Sequence, residues 1–330
     1  MSRCLAGVTF LGALLSSGCL SSALPTPYPQ PSAPAIALPE RVLVRTAGQI
    51  TPVSLEDYVV AAALSEVTPV GDSPDVVDRV YGVQAVVART YAIAHLGRHR
   101  AAGFDFCDST HCQVYEPGRR RTSRFAAAAE AAASRTSGQI LTFEGRAADT
   151  LFHSDCGGRT AAASAVWGGA PVAYLQAIVD DVPQGAHRPW RVAVSAAELR
   201  AALNADPRTA VGKSLAAIEV ITRDDSGRAA AVSVRGERSS AVKGDVLRTV
   251  LNRTLGERAL QSTLFSVNRQ ADGFVFEGVG FGHGVGLCQR GAMARARRGE
   301  AMREILGTYY PGAKFTGPVL KRLRESFWQF

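Results

Sequence analysis

Residues Gly278–Ala292 read GVGFGHGVGLCQRGA and set five glycines around one histidine, His283, ahead of Cys288, Gln289 and Arg290. Glycine at this density lets the backbone take positive φ or pass close to another group. After the strand-like run Gly273–Val279, the chain must therefore turn tightly here. Two readings follow: one wall of a polar site, or a tight loop around a buried, hydrogen-bonded histidine.

The chain has 330 residues, 46% of them hydrophobic, which is enough for one large domain or two. Its formal charge of +8 suits an anionic partner such as nucleic acid, an acidic membrane face or a cell-wall polymer. Lys and Arg are scattered, except at Arg119–Arg121 and at Arg295, Arg297 and Arg298, and no nucleic-acid motif accompanies them. Nucleic acid is therefore not expected as a partner. Arg3, the apolar run Leu5–Leu15 and Ser16-Ser17-Gly18-Cys19 form a bacterial export signal over residues 1–18. Cys19 then stands as a lipid-accepting first mature residue, which implies a lipoprotein anchored in the cell envelope. The run is too short to span a bilayer. Residues 19–40, rich in Pro, Ser and Ala, form a semi-rigid tether. A single domain is expected over 41–316, with a tail over 317–330.

Export to an oxidising compartment favours disulfides among Cys107, Cys112, Cys156 and Cys288. Three pairings are open on sequence alone; Cys107 with Cys112 and Cys156 with Cys288 is preferred.

Arg41–Thr51 reads as strand and turn. Ser54 caps a helix on which Leu55, Val59, Ala62 and Glu66 share one face, and Pro69 follows its end. A second helix, Asp75–Leu96, is apolar almost all round, so it is a core helix, and Arg89 inside it needs an anionic partner or ligand. Helices are expected over Phe125–Ser134, Ser195–Leu203, Gly244–Asn252 and 290–307. Strands are expected over Ile140–Phe143, Ala148–His153, Ala217–Arg223, Ala229–Arg235, Ser262–Asn268 and Gly273–Val279. Helices and antiparallel strands alternate without βαβ repetition, so the fold class is α+β.

Three constellations carry chemistry. Glu66, a carboxylate at the end of an apolar helix face, is either a desolvated acid or a side chain that rolls into solvent. Cys107, His111 and Cys112 offer three zinc ligands, with His99 or Cys156 as a fourth, against a short-range disulfide. His153-Ser154-Asp155-Cys156 brings a thiol near a histidine; a cleft lined by His153 and His283 is the better reading than a nucleophilic Cys156.

The order of several segments resembles the SpoIID/LytB family, the stage II sporulation protein D type. They are LEDYVVAAALSEV (Leu55–Val67), YGVQAVVARTYA (Tyr81–Ala92), CDSTHCQVY (Cys107–Tyr115), FHSDCGGRT (Phe152–Thr160), STLFSV (Ser262–Val267), GFGHGVGLCQRGA (Gly280–Ala292) and EILGTYYPGAKF (Glu304–Phe315). The resemblance implies a SpoIID-like domain with a substrate cleft. It also implies a lytic transglycosylase that cuts the β-1,4 bond between N-acetylmuramic acid and N-acetylglucosamine, on glycan stripped of peptides. Glu66 would be its single acid and base. By the same resemblance Arg89 and Gln113 hold sugar hydroxyls or acetamido groups. Tyr115 and Tyr309 stack on pyranose rings or donate hydrogen bonds, and His153, Ser154, His283 and Gln289 line the opposite wall. No cofactor is required, with zinc at Cys107, His111 and Cys112 as the alternative. The implied partners are peptidoglycan strands, the membrane through a lipid on Cys19, and cell-wall amidases if the protein is instead a non-catalytic binder. Two departures stand out: Ser65 replaces a glycine common before the glutamate, and Leu287-Cys288-Gln289 replaces Met-Ser-Gln. The second supports pairing Cys288 with Cys156.

Overall fold

The computed structural model describes residues 36–182 and 187–317. The export signal, Cys19, most of the tether and most of the tail lie outside the described residues. No helix among the described residues is long and apolar enough to cross a membrane.

The first strands, β1 (Arg41–Thr46) and β2 (Gln49–Ser54), form an antiparallel hairpin whose Val42 and Val44 point into the core. Ser54 ends the hairpin and caps α1 (Leu55–Glu66), its hydroxyl accepting from the Asp57 N–H at 3.1 Å. Helix α2 (Pro74–Ala94) starts on a proline, which lacks the N–H that a first turn cannot use. It runs through the centre of the molecule, buried on nearly every face. Strand β3 (Phe106–Cys107) returns parallel to β1. Helices α3 (Arg119–Thr122) and α4 (Ala126–Arg135) follow, and the alanines of α4 allow close packing on α1 and α2. Strand β4 (Ile140–Phe143) pairs with β5 (Arg146–Ala147), and the short β6 (Phe152–His153) comes next. A continuous strand over Ala148–His153 does not form. The Thr150 hydroxyl instead donates to the Val87 carbonyl of α2, and the Asp149 N–H donates to the Tyr174 hydroxyl.

After α5 (Ala163–Trp167), the chain builds a second hydrophobic core. It comprises β7 (Pro189–Ser195), α6 (Ala196–Asn204), β8 (Leu215–Arg223), β9 (Ala229–Gly236), β10 (Ser239–Lys243), α7 (Gly244–Leu255), β11 (Phe265–Gln270) and β12 (Gly273–Val279). These strands make two antiparallel sheets, ordered β10-β9-β8 and β11-β12-β7. Strand β13 (Leu287–Cys288) then re-enters the first core and pairs in parallel with β6, bringing Cys288 opposite His153. Helices α8 (Gln289–Arg297) and α9 (Met302–Tyr309) and strand β14 (Lys314–Thr316), paired to β4, complete the described chain. One helix over 290–307 was expected. The chain breaks at Gly299, whose φ of +89° is left-handed, and the Glu304 carboxylate restarts it by accepting the Ala301 N–H. The α+β class holds.

Arg89 joins the layers of the first core. It is fully buried, with Nε and Nη2 on the Glu56 carboxylate at 2.8 and 2.5 Å. Nη1 and Nη2 also donate to the Gln139 and Ala133 carbonyls, both at 3.2 Å. One guanidinium thus ties α1 to the end of α4 and the approach to β4. Removing its anion leaves a buried cation that water can approach only through the space vacated by the Glu56 side chain, which is 39% exposed. Glu56→Ala should lower unfolding stability by about 3 kcal/mol in urea titrations. A loss under about 1 kcal/mol would mean the pair behaves as an ordinary surface contact.

Candidate functional site

Glu66 is the last residue of α1 and is partly buried. The segment after Cys112 runs beside this helix end and is stitched to it twice. The Val114 N–H donates to Glu66 Oε1 at 2.8 Å, and the Glu116 N–H donates to the Ser65 hydroxyl at 3.0 Å. Between them Tyr115 points inward and stacks on Tyr58 with centroids 5.2 Å apart. Ser65 fits the helix by donating to the Ala61 carbonyl at 2.7 Å, so a side chain at this position is accommodated. Burial raises the Glu66 carboxyl from 4.5 to about 7, against the opposing pull of the Val114 N–H and the Gln289 amide. Among the described residues, no carboxylate is one of the groups that set this value. Near neutral pH the side chain is therefore divided between acid and base.

Gln289, the first residue of α8, faces Glu66 because β13 delivers it there. Its Nε2 is buried and makes no well-formed hydrogen bond. The pairing of β13 with β6 sets His153 beside Cys288, and His283 lies 5.5 Å from His153, centroid to centroid. The glycine run makes this approach possible: Gly280, Gly282, Gly284 and Gly286 all have positive φ. A Cβ on Gly282 would sit 2.8 Å from His153 Cβ, and one on Gly286 would sit 2.0 Å from the Leu151 carbonyl oxygen. The glycine segment is thus a tightly packed wall. His153 Nδ1 donates to the Val285 carbonyl at 3.1 Å, whereas His283 Nδ1 accepts from the Val285 N–H at 3.0 Å. Burial depresses both imidazoles, His283 to about 4, so both are neutral at pH 7. His153 Nε2 is buried without a partner. Trp167, 43% exposed, lies 5.2 Å from the His283 ring. It is a polar-wall neighbour that no motif in the sequence marked.

Other expected site residues fall elsewhere. Arg89 is fully buried, with four of its five N–H groups donating to Glu56 and two carbonyls, so it presents no surface to a sugar. Gln113 is buried, its Nε2 donating to the Tyr58 hydroxyl and the Ala88 carbonyl at 3.3 and 3.2 Å. Tyr115 and Tyr309 are buried too, so neither offers a face for a pyranose ring. The Tyr309 hydroxyl donates to Asp180 at 2.8 Å. These four act behind the site by packing. Ser154 is partly buried, and its carbonyl accepts the Arg290 N–H at 3.0 Å beside Gln289.

The four cysteines correct a second expectation. Cys107, Cys112, Cys156 and Cys288 are all free thiols, so neither preferred disulfide is formed. Around the first pair, donor atoms of His99, Cys107, His111 and Cys112 lie within 4.8 Å of one another. His99 Nε2 is 3.3 Å from Cys112 Sγ. Burial opposes ionisation of Cys107, but hydrogen bonds from Ser109, Cys112 and His111 prevail and bring it to about 6. Two thiols, one easily ionised, and two imidazoles fit a tetrahedral zinc ion, with His99 rather than Cys156 as the fourth donor.

Comparison with known proteins agrees with this layout. Residues 45–143 match the family described as Stage II sporulation protein (SpoIID), and residues 183–286 match a domain of unknown function that coincides with the second core. An uncharacterized protein of Brachyspira hyodysenteriae is 32% identical over 84% of this chain and 72% of its own length. Stage II sporulation protein D of Bacillus subtilis is 28% identical, over 82% of this chain and 77% of its own. The amidase enhancer of Bacillus subtilis is 27% identical over 71% of this chain, which spans only 37% of that longer protein.

A carboxyl whose folded value exceeds its unfolded one favours the fold below about 4.5 and loses that favour as pH rises through about 7. Glu66→Gln removes this loss. The variant should be more stable than wild type by roughly 2 to 3 kcal/mol at pH 8, with little gain at pH 4, in paired denaturant titrations. Equal stability at pH 8 would place the carboxyl in water.

Proposed function

Because the chain belongs to the Stage II sporulation protein (SpoIID) family, we propose that it acts on the cell wall as a peptidoglycan lytic transglycosylase with Glu66 as its single general acid and base. The observation that carries this reading is a carboxyl at the end of α1 that burial raises to about 7. Hydrolytic glycosidases divide the work between two carboxyl groups, one of them for water or a covalent intermediate. A transglycosylase needs one. Protonated Glu66 gives its proton to the bridging oxygen as the bond from muramic C1 breaks. The carboxylate left behind then accepts the proton of the same sugar's C6 hydroxyl as O6 closes on C1. The product carries a 1,6-anhydro end, and Glu66 is returned to its starting state. The tethered hydroxyl is already next to C1, so no water has to be positioned. Val114 fixes one carboxylate oxygen throughout. Gln289 and the neutral imidazoles of His153 and His283 serve as hydrogen-bonding groups along the cleft, which would take glycan stripped of its peptides.

A zinc ion held by His99, Cys107, His111 and Cys112 would supply a structural cross-link, since four protein donors leave no position for a reacting water. The cluster ends one residue before Gln113, so it steadies the segment whose Val114 N–H holds the acid. Residues 1–18 act as an export signal, and a lipid on Cys19 anchors the protein in the cell envelope, where peptidoglycan is within reach of the tether.

The amidase enhancer among the relatives favours one alternative, a glycan-binding protein without chemistry that assists a cell-wall amidase. Glu66→Gln separates the two. Release of anhydro-muropeptides from peptide-stripped glycan should fall by about 10²- to 10⁴-fold while glycan binding persists, as read by mass spectrometry and pull-down. Unchanged function in the variant would favour the binder, and reducing ends in the wild-type digest would mean hydrolysis. Cys112→Ser should lose zinc by elemental analysis and lower the melting temperature. Unchanged metal content would remove the cross-link.

A further inference from the structure

The second pair of thiols lies in an environment that a disulfide does not need. Cys156 and Cys288 are completely buried and 132 residues apart in the chain. Three backbone N–H groups point at their sulfurs: Cys156 N to Cys288 Sγ at 3.2 Å, Gly291 N to Cys288 Sγ at 3.3 Å, and Gly158 N to Cys156 Sγ at 3.4 Å. A neutral thiol is a weak acceptor, whereas a thiolate rewards every N–H aimed at it. Asp155, 2% exposed at its side chain, completes the ring with His187, and one donor atom from each of these four residues lies within 4.8 Å of the others. His187 Nδ1 sits 2.6 Å from Asp155 Oδ1, while its Nε2 is buried and has no hydrogen-bond partner. A disulfide would leave that nitrogen unsatisfied and give the N–H groups only a poor acceptor.

We propose that Asp155, Cys156, His187 and Cys288 form a second divalent-metal site, separate from the His99–Cys112 cluster, with zinc as the matching ion. Two sulfurs, an imidazole and a carboxylate are the donor set of a borderline-soft tetrahedral cation. With no cation, the hydrogen bond to Cys288 and burial keep the Cys156 thiol protonated well above its ordinary range. Metal uptake releases both thiol protons to solvent and leaves two thiolates and one carboxylate around a 2+ ion. The single negative charge that remains faces the buried Arg228 guanidinium, whose Nη2 donates to the Cys156 carbonyl at 2.6 Å. Asp180 stands just outside the four, with Oδ2 3.3 Å from Cys156 Sγ, and Tyr309 and Arg295 fix its orientation. Outer carboxylates of this kind hold the ligands of metal sites in place.

The site joins three stretches of chain: the turn after β6, the entry to the second core at His187, and the junction of β13 with α8. Cys288 directly precedes Gln289, so the metal is a positioning device for the wall opposite Glu66.

The test is a cobalt titration of the purified full chain under anaerobic, reducing conditions, comparing wild type with C288S, H187A and C112S. Wild type should show sulfur-to-cobalt charge transfer and intense tetrahedral d–d bands. C288S should lose one equivalent of Co2+ that C112S retains, and H187A should weaken that same equivalent by at least about tenfold. Should C288S fail to fold, H187A, whose side chain is 16% exposed, reads the site alone. Cobalt binding insensitive to both substitutions would overturn the proposal. So would a Cys156–Cys288 disulfide in protein purified from the envelope without reductant.

Discussion

One carboxyl group partly withdrawn from water is the constraint on which the rest turns. An exposed glutamate at a helix end is ionised at neutral pH and has no proton to give. Glu66 is held near half-protonation because the end of α1 is covered by the 113–116 segment on one side and by the start of α8 on the other. The Val114 and Gln289 contacts pull the value down and desolvation pushes it up, and desolvation wins. Any element that loosens either cover lets water in and removes the acid.

The remaining architecture can be understood as support for those two covers. Arg89 and Glu56 lock α1 against the core, which fixes where the helix ends. The His99–Cys112 cluster lies just ahead of the segment that carries Val114. The glycine run lets β13 pass against β6 with contacts that no side chain would permit, and so carries Gln289 to its place. The second core, between β6 and β13, is built from its own sheets and helices. The chain enters it at His187 and returns to the first core at β13, and both points lie beside Asp155 and Cys156, where the proposed second metal would hold the crossing.

Much of the scaffold was legible in the sequence. Ser54 as a cap, the all-round apolar α2 and the alternating strands of the second core have local causes, and the structure keeps them. Glu66 stood out because a carboxylate broke an apolar face. What escaped was long-range. Nothing near Arg89 in sequence says that its anion is Glu56, 33 residues away, so a guanidinium that serves packing looked like a ligand for sugar. The cleft roles that the resemblance implies for Gln113, Tyr115 and Tyr309 meet side chains that are buried in this structure, Gln113 on Tyr58 and Tyr309 on Asp180. The cysteine pairing rests on the compartment and, for Cys156 with Cys288, on the departure at Leu287-Cys288-Gln289. That logic could not weigh His187, which lies 31 residues from Cys156 in the chain and carries no motif. The break at Gly299 inside the expected 290–307 helix rests on a left-handed φ that a sequence pattern does not display.

The most direct measurement uses the origin of the oxygen at each new end. Peptide-stripped glycan digested by the wild-type chain in H2(18)O should yield 1,6-anhydro ends that contain no heavy oxygen, because O6 of the same sugar closes the ring. Heavy oxygen at C1 of the new muramic ends would show that water is the acceptor. That result would contradict a mechanism in which Glu66 alone donates the proton and takes it back.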